Sequence, residues 1–468
     1  MSDYPRDLVG YGRTTPDPRW PNGSRIAVQF VINYEEGGEN NILHGDAASE
    51  AFLSEIVGAA AWPGQRHMNM ESIYEYGSRA GFWRLHRMFT ERGMPLTVFG
   101  VASAMVRHPE AVAAMNEAGW EVATHGLKWI EYKDFAEADE RAHIAAAVAQ
   151  HTAVAGARPV GFYQGRCSEN TQRLAQEEGG FLYSADSYAD DLPYWVQGAR
   201  GPFLMVPYTL DANDMRFATP QGFNSGDQFF SYLKDSFDCL YAEGGRMLSV
   251  GLHCRLAGRP GRAQALARFL DYIQRQPGVW VARRVDIARH WVRTHPPSGG
   301  LRPSTLSPAL FAELFGDLAE HTPQLAAEVY AAGLTPAHDS AEGLHRAFVA
   351  AMHAWPKERQ TSFLNAHPDL AGKLHAARQL TDDSAAEQGS AGLDALTDAE
   401  RAQFLDLNTR YRARHGIPFI LAVKGRSRAE ILTAFEARLH NDPAAEHAEA
   451  LRQVERIMLL RLQDRLGG

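Results

Sequence analysis

The ten residues from Thr294 to Pro303, THPPSGGLRP, divide this chain into two parts with different periodicity. They are dense in proline and glycine, which interrupt helices and strands and are typical of a linker. Short apolar runs that alternate with helical spacing precede this stretch, whereas only helical spacing follows it. A length of 468 residues also exceeds what one hydrophobic core usually organises. We therefore predict an N-terminal domain over 1–297, a linker over 298–303 and a C-terminal domain over 304–468.

The N-terminal part alternates short runs rich in Val, Ile and aromatic residues with longer segments of helical spacing. This alternation predicts a parallel sheet, and the number of runs fits a distorted (β/α) barrel of seven or eight units. In such barrels the chemistry gathers at the C-terminal ends of the strands. We predict strands over 26–33, 96–102, 121–125, 160–166, 181–186, 203–211, 247–253 and 279–282, and helices over 81–92, 109–118, 226–242 and 263–274.

The C-terminal part has no strand signals and is predicted to be all helical, which makes the fold class α/β plus all-α. Two hydroxyl residues precede a proline at an expected helix start, and two others pair with a glutamate as capping boxes. These pairs are Ser307–Pro308, Thr322–Pro323, Thr397–Glu400 and Ser427–Glu430. Gly416, followed by Ile417 and Pro418, is expected to stop the helix that begins near Thr397.

The composition excludes several classes of function. Apolar residues at 45% and charged residues at 22% are typical of a soluble globular protein. A net charge of −9 and a pI near 6.1 leave no basic excess, so we expect no nucleic-acid or membrane partner. The three cysteines contain no C-x-x-C pair, which indicates neither a disulfide framework nor a thiolate zinc site. Without a signal peptide or a run of about 18 apolar residues, we predict a cytoplasmic protein, and we expect a homo-oligomer.

Two adjacent carboxylates, Glu35 and Glu36, follow the apolar run 26–32. The two carboxylates of such a pair can have different roles. One takes a proton from water, while the other binds a metal or a substrate NH, or shifts the pKa of its neighbour. Because neighbouring residues on a strand point to opposite faces, both can serve one site only from the bend beyond the strand. The alternative for so short a motif is a solvated acidic loop.

Three further polar residues, His125, Arg166 and His253, also follow predicted strands. Taken singly, each histidine is more often a satisfied structural residue, and Arg166 could equally form an ion pair at the barrel rim. The recurrence of such residues at the strand ends of one barrel favours a shared site instead.

These residues, in this order, resemble the polysaccharide deacetylase family over about residues 5–295. Members of that family hydrolyse amide bonds on a distorted barrel, and usually carry a Thr-Phe-Asp-Asp-Gly motif and a His-x-x-x-His metal pair. Here the first motif reads Asn33-Tyr34-Glu35-Glu36-Gly37, and Trp129 stands where the second histidine would follow His125. In these departures from the usual motifs, the chain resembles the metal-independent allantoinases, a branch of the family. The same branch is similar to this chain in the segments 34–45, 70–81 and 190–195.

The resemblance implies hydrolysis of the hydantoin ring of allantoin to allantoate. It implies that Glu35 is the general base and that Glu36 orients substrate, with the reverse assignment left open. His253, in the family's late Leu-x-His element, would protonate the departing ring nitrogen. His125 would hold substrate or water, and Arg166 would bind a carbonyl or ureido oxygen. No cofactor is expected, and a divalent metal in the barrel is the alternative.

A second set of chemically active side chains lies in the helical part. It comprises His367-Pro368-Asp369-Leu370, Ser384-Ala385-Ala386-Glu387-Gln388, Phe419-Ile420-Leu421-Ala422-Val423 and Arg461. Taken singly, these pieces have ordinary alternatives: a helix-end histidine, a capping box from Ser384 to Glu387, a core segment and a solvated arginine. Together they resemble the 2-oxo-4-hydroxy-4-carboxy-5-ureidoimidazoline (OHCU) decarboxylase family over about residues 304–466.

That second resemblance implies that His367 is catalytic and is supported by Glu387 and Arg461. The substrate-binding residues it implies are Pro368, Ser384, Ala385, Ala386, Glu387, Gln388, Phe419, Ile420, Leu421, Ala422 and Val423. Loss of CO2 leaves electron density beside a carbonyl of the substrate. Since that carbonyl is the electron sink, no organic cofactor is needed, and the product is (S)-allantoin.

The two resemblances name consecutive steps of urate degradation, so we predict a bifunctional enzyme that acts on small ureides. A rival class is a metal-dependent deacetylase of acetylated sugars, with the helical part as an oligomerisation module. It would need a divalent ion held by Glu36, His125 and an unidentified third ligand. A non-enzymatic alternative is a ureide-binding scaffold, against which the acid and base groups in both parts weigh.

Overall fold

The computed structural model describes residues 4–198, 200–370 and 396–467. The chain divides into two units, Met1–Pro297 and Ser298–Gly468. The first unit combines a curled, mostly parallel sheet with helices, and the described part of the second is helical. The fold class predicted from the sequence, a deacetylase-type barrel followed by an all-helical region, is therefore confirmed.

The sheet of the first unit has nine strands in the order β6-β7-β5-β4-β3-β2-β1-β8, and β9 also pairs with β1. All pairs are parallel except β6 with β7. The strands are β1 Ile26–Tyr34, β2 Thr97–Gly100, β3 Glu121–Thr124, β4 Gly161–Phe162, β5 Tyr183–Ser184, β6 Tyr194–Gly198, β7 Gly201–Met205, β8 Arg246–His253 and β9 Val279–Val281.

Strand β1 pairs with β2, β8 and β9, and every one of its nine residues is buried. Its β-branched and aromatic side chains suit a strand that is covered on both faces. In the parallel register Asn33 pairs with His253 of β8, Tyr34 pairs with Gly100 of β2, and Gly100 pairs with Thr124 of β3. The carboxyl ends of β1, β3 and β8 therefore meet at one edge of the sheet.

The sheet differs from the sequence-based expectation by one added strand and by the ends of several strands: of the predicted 181–186 only Tyr183–Ser184 is a strand, and in place of 203–211 the strand β7 covers Gly201–Met205. Strand β6 was not predicted, and it forms an antiparallel hairpin with β7 at the sheet edge, where its residues are mostly half-buried. The predicted run 160–166 is a strand only over Gly161–Phe162, because the chain beyond it turns. The Asp186 carboxylate accepts the backbone N–H groups of Gln164 and Gly165, each at 2.8 Å, and so holds that turn. An aromatic run in the sequence indicates a strand, but it does not indicate where the hydrogen bonds to the neighbouring strands end.

Nine α-helices surround the strands in the described part of the first unit. They are α1 Met68–Tyr76, α2 Phe82–Thr90, α3 Ala102–Arg107, α4 Pro109–Glu117, α5 Glu137–Ala155, α6 Thr171–Glu178, α7 Gly226–Glu243, α8 Pro260–Ile273 and α9 Arg284–Thr294. A π-turn, Gly77–Gly81, joins α1 to α2. A Cβ atom on Gly77 would overlap the Glu36 carboxylate, and one on Gly81 would overlap the carbonyl of Cys254. These glycines let α1 and α2 approach the carboxyl end of β1 closely.

The described part of the second unit contains the helices α10 Pro308–Phe315, α11 Pro323–Ala331, α12 Ala341–His353, α13 Lys357–Asn365, α14 Asp398–His415, α15 Arg428–Leu439 and α16 Pro443–Leu466. The capping boxes that begin at Thr397 and Ser427 are confirmed, as is the cap of α10 by Ser307. The stop at Gly416, which has φ 70°, is also confirmed. Thr322 does precede α11, but its hydroxyl makes no capping hydrogen bond, so that detail was wrong.

None of the helices in the described ranges is both long and apolar enough to cross a membrane.

Candidate active sites

The first candidate site lies just beyond the carboxyl end of β1, where Glu35 and Glu36 are 1% and 4% exposed. Both side chains contact Arg255, which follows β8. Its Nη2 donates to Oε2 of Glu35 at 2.7 Å, and its Nη1 lies 3.4 Å from Oε1 of Glu36. The bend after the strand thus brings both carboxylates to one guanidinium, as the pair needs in order to serve one site.

Two histidines lie on the other side of the Glu35 carboxylate. Nε2 of His125, directly after β3, is 3.3 Å from Oε1 of Glu35, and Nε2 of His253, at the end of β8, is 3.5 Å from the same atom. Both imidazoles are buried. Nδ1 of His125 has no hydrogen-bond partner among the residues that the structure describes. Glu35, His125 and His253, predicted separately from three strand ends, therefore form one cluster.

Asp214, in the short 3-10 turn Asp214–Ala218, fixes the orientation of His253. Its Oδ1 lies 2.6 Å from Nδ1 of His253, and its Oδ2 accepts the backbone N–H groups of His253 and Ala257 at 2.7 and 2.8 Å. Burial alone would lower the pKa of His253, but the carboxylates of Glu35 and Asp214 outweigh it and raise the pKa to about 9. His253 is therefore an imidazolium at neutral pH.

The two glutamates differ in their electrostatics. Burial would raise the pKa of Glu35, but the charges of Arg255 and His253 and the hydrogen bond from His125 hold it well below the usual range. Burial dominates at Glu36 and raises its pKa despite Arg255. The Glu36 carboxylate also accepts the backbone N–H groups of Glu35 and Arg255, both at 3.2 Å. Glu35 is thus the ionised carboxylate that faces the histidines, whereas Glu36 is bound to backbone.

Arg166 lies beside this cluster but contacts neither glutamate of the pair. Its guanidinium stacks on the ring of Trp129 at 3.8 Å from the centroid, and is 5.3 Å from that of Phe52. Its Nη2 is also 3.7 Å from Oε1 of the buried Glu50. Arg166 therefore combines a long ion pair to a buried glutamate with an aromatic stack that fixes the plane of the guanidinium.

A divalent metal does not fit the residues of this site. Trp129 occupies the sequence position of the second histidine ligand, and the guanidinium of Arg255, a permanent cation, contacts both carboxylates. Within the described ranges no three His, Cys, Asp or Glu side chains are grouped as possible metal ligands. A second cation beside Arg255 would be repelled by its guanidinium, which disfavours a bound metal at this position.

The second candidate site, in the helical unit, is centred on His367 after α13. The side chain is 5% exposed, and its Nδ1 lies 3.1 Å from the carbonyl oxygen of Phe363. Because a carbonyl only accepts hydrogen bonds, Nδ1 carries the hydrogen and Nε2 has the lone pair. Nε2 is buried without a hydrogen-bond partner among the described residues. Burial is the main cause that lowers the pKa of His367 to about 4, so the ring is neutral at physiological pH.

Arg461, on α16, is 3% exposed and bound from one side by the segment before α11. Its Nη2 donates to Oε1 of Glu320 at 2.8 Å, and its Nη1 donates to the carbonyl of Leu318 at 3.2 Å. Glu320 is 2% exposed and has a positive φ of 38°, which is uncommon for a residue other than glycine. The charges of Glu320 and Arg461 both act on the titration of His367, which places the three residues in one neighbourhood.

The remaining predicted residues of the helical site fall into two groups. Pro368 follows His367, and Phe419 to Val423 form a buried segment between α14 and α15. The backbone of that segment is anchored by side chains, since Gln453 accepts the N–H of Ala422 at 3.1 Å and Arg438 donates to the carbonyl of Ile420 at 2.7 Å. Ser384, Ala385, Ala386, Glu387 and Gln388 lie outside the described residues.

Three residues in these clusters were not predicted from the sequence: Arg255, Asp214 and Glu320. Arg255 stands two positions after His253, so its place in the chain was a usable signal. Asp214 lies outside any predicted strand, and only the fold brings its 3-10 turn to β8. Glu320 precedes a histidine before α11, and no pattern in the sequence connects it with Arg461.

Comparisons with known proteins agree with the two-unit organisation. A family model described as polysaccharide deacetylase matches residues 70–179. A protein of Schizosaccharomyces pombe (strain 972 / ATCC 24843) named "Putative polysaccharide deacetylase" is 41% identical over 314 residues, which cover 62% of this chain and 98% of that protein. The chain belongs to the polysaccharide deacetylase family. Within this family, the solved structure of PuuE allantoinase is 57% identical, with a TM-score of 0.63, and the match covers 64% of this chain and 100% of that one.

The helical unit has its own relatives. A family model described as OHCU decarboxylase matches residues 304–463. The OHCU decarboxylase of Mus musculus is 37% identical over 158 residues, which cover 34% of this chain and 87% of that protein. This polysaccharide deacetylase family member therefore also belongs, over its C-terminal unit, to the OHCU decarboxylase family. Both resemblances stated from the sequence are confirmed.

Proposed function

We propose that this chain is a bifunctional enzyme of urate degradation. Its C-terminal unit decarboxylates OHCU to (S)-allantoin, and its N-terminal unit hydrolyses the hydantoin ring of allantoin to allantoate. The observation that carries the proposal is the buried cluster in which one oxygen of Glu35 lies within 3.5 Å of His125 and His253 while the other is held by Arg255. An ionised carboxylate and an imidazolium stand together there, as the hydrolysis of a cyclic amide requires.

In the ring-opening step Glu35 is the general base. As the oxygen of water bonds to the ring carbonyl carbon, the Glu35 carboxylate takes the proton of that water. His125, whose Nε2 donates to Glu35, is placed to hold the water or the substrate through Nδ1, which accepts a hydrogen bond. A carboxylate with a depressed pKa is a weak base, so the rate depends strongly on the group that protonates the leaving nitrogen.

His253 is the general acid of the same step. When the ring C–N bond breaks, the imidazolium gives its Nε2 proton to the departing nitrogen, and the new carboxyl group then loses a proton to solvent. The Asp214 carboxylate at Nδ1 stabilises the imidazolium and fixes the ring plane. Glu36 and Arg166 complete the proposed site: Glu36 orients substrate, and Arg166 binds a carbonyl or ureido oxygen.

In the helical unit, neutral His367 carries the proton. The bond between ring carbon C4 and the carboxylate breaks, CO2 leaves, and the electron pair moves through C5 into the ring C=N bond, whose nitrogen takes a proton from solvent. The bare Nε2 of His367 then takes the proton of the C4 hydroxyl and gives it to one face of C5, so that C4 becomes a carbonyl of (S)-allantoin. Arg461, fixed by Glu320, is placed to neutralise an anionic oxygen of substrate. We further propose Glu387 as a support for His367, and Pro368, Ser384 to Gln388 and Phe419 to Val423 as the lining that binds the substrate.

The proposal is tested by incubating chelator-treated full-length protein separately with allantoin and with freshly generated OHCU. Formation of allantoate from the first, and of (S)-allantoin followed by allantoate from the second, is the expected result. Absence of both turnovers, or deacetylation of acetylated sugars that depends on an added divalent metal, would refute it.

A further inference from the structure

Arg255 is a completely enclosed charged side chain of the ring-opening site, with an exposed fraction of 0%. Each part of its guanidinium has a defined contact. Nη2 bonds Glu35 at 2.7 Å, Nη1 lies 3.4 Å from Glu36, and Nε donates to the backbone carbonyl of Leu53 at 2.8 Å. All three nitrogens thus contact protein, and the contacts with Glu35 and Glu36 connect Arg255 to the site through the two carboxylates.

Two aromatic rings fix the plane of this guanidinium. Its carbon lies 4.2 Å from the centroid of Tyr74 and 5.2 Å from that of Trp129. Trp129 stands at the sequence position where the metal-dependent pattern of the family has its second histidine ligand. The same residue therefore replaces a metal ligand and faces the cation that this chain supplies itself.

The geometry also explains which oxygen of Glu35 is available for chemistry. Because Arg255 holds Oε2, the carboxylate is turned so that Oε1 lies between the Nε2 atoms of His125 and His253. Two adjacent buried carboxylates would otherwise repel each other and lose their solvation. One guanidinium that contacts both offsets that cost and sets the rotation of Glu35.

We propose that Arg255 is the built-in cation of the ring-opening site, a positioning residue that holds Glu35 charged and aimed between the two histidines. This inference rests on the proposed ring-opening activity and goes beyond it. In this chain a fixed guanidinium supplies the positive charge beside Glu35 and Glu36, and this charge needs no ion from solution.

The test uses full-length, chelator-treated protein with Arg255→Ala, Arg255→Lys and a matched control, Arg284→Lys. Arg284 is equally buried at 0%, but it bonds Gln29, Ser249 and the carbonyl of Pro207 in the interior of the sheet, away from the glutamate pair. The unmodified protein is measured first. If it does not open the allantoin ring, the proposed function fails before Arg255 is tested.

Both Arg255 variants are expected to lose about 100-fold in kcat for ring opening with little change in KM, because the base is misplaced while substrate contacts remain. Millimolar guanidinium should recover at least about 10-fold of the lost kcat in Arg255→Ala, whereas sodium chloride at equal ionic strength should not. Arg284→Lys should fall by less than about 3-fold and show no recovery. Decarboxylase activity in each sample provides an internal standard for active protein.

If Arg255→Ala does not fold, Arg255→Lys carries the test, since it retains a charge that cannot contact both carboxylates and Leu53 together. A kcat for Arg255→Lys like that of Arg284→Lys would overturn the inference. So would recovery of Arg255→Ala by zinc in place of guanidinium, or equal recovery by sodium chloride.

Discussion

Nδ1 of His253 lies 2.6 Å from Oδ1 of Asp214, while the other oxygen of the same carboxylate accepts the backbone N–H of His253. A single aspartate thus fixes both the ring and the backbone of the proposed acid. This relationship gives the ring-opening site its expected response to pH.

The proposed acid makes ring opening decline at alkaline pH. The two neighbouring carboxylates, of Glu35 and Asp214, raise the pKa of His253 to about 9, although burial opposes them. Since the reactive form is the protonated one, kcat/KM should fall as the pH rises through about 9. Asp214→Asn removes one of the two charges that favour the imidazolium, so the alkaline limb should move to lower pH. A pH profile of kcat/KM measures this, and an unmoved alkaline limb in the variant would remove His253 from the role of acid.

The ionisation of Glu35 determines the acidic limb of the pH profile of ring opening. Arg255, His253 and His125 outweigh burial and hold the pKa of Glu35 well below the usual glutamate range. The carboxylate is therefore ionised throughout the neutral and mildly acidic range, and ring opening should lose its base only at strongly acidic pH. Glu35→Gln keeps the shape of the side chain but not the basic oxygen. It should lower kcat for ring opening by about 100-fold or more while the decarboxylase rate stays unchanged.

His367→Ala is the complementary substitution in the helical unit. It removes the neutral imidazole whose Nε2 has no hydrogen-bond partner among the described residues, and should abolish decarboxylation without affecting ring opening. Both rates are measured on the same protein sample, together with its circular dichroism spectrum. Loss of both activities in a folded single variant would mean that the two sites are not separate.

Most residues of the proposed ring-opening site could be predicted from the sequence to lie together, because they follow strands. Glu35, His125 and His253 could be predicted to meet, since parallel strands end at one edge of a sheet and the register of β1 with β8 aligns Asn33 with His253. Arg255 was within the same motif but received no role, because nothing in a linear pattern shows that its side chain turns back toward β1. The contact with Asp214 depends on a 3-10 turn whose position only the folded chain determines.

The helical site could be predicted less fully from its residues alone. His367 and Arg461 are separated by 94 positions on different helical segments, and no periodicity connects them. Their common neighbour Glu320 lies in a segment with positive φ, a local conformation that a glutamate in the sequence does not signal.

Glu320→Gln tests that neighbour. The substitution removes the negative charge of Glu320, which lies 2.8 Å from Arg461 in a buried ion pair. We therefore expect the helical unit to be destabilised by about 1–3 kcal/mol and decarboxylation to slow. The matched control is Glu328→Gln, whose partner Arg359 and own side chain are each more than 40% exposed. That change should cost less than about 1 kcal/mol. Equal effects of both changes on unfolding and on decarboxylation would contradict the proposed role of Glu320.

Gly77→Ala tests the packing behind the carboxylate pair. A Cβ atom there would overlap the Glu36 carboxylate, so we expect a loss of about 1–3 kcal/mol in stability together with slower ring opening. Gly261→Ala is the control, because a Cβ on Gly261, in α8, meets no atom within 4 Å. The control should be neutral or slightly stabilising. Thermal melting and ring-opening rates distinguish the two, and an unaffected Gly77→Ala protein would contradict the described contact.

The most direct test of the central claim follows freshly generated OHCU through a single preparation of chelator-treated, full-length protein by time-resolved NMR. We expect (S)-allantoin to appear first and allantoate to follow, with His367→Ala stopping the first conversion and Glu35→Gln stopping only the second. Accumulation of (S)-allantoin with no allantoate from the unmodified protein, relieved only when a divalent metal is added, would contradict the account.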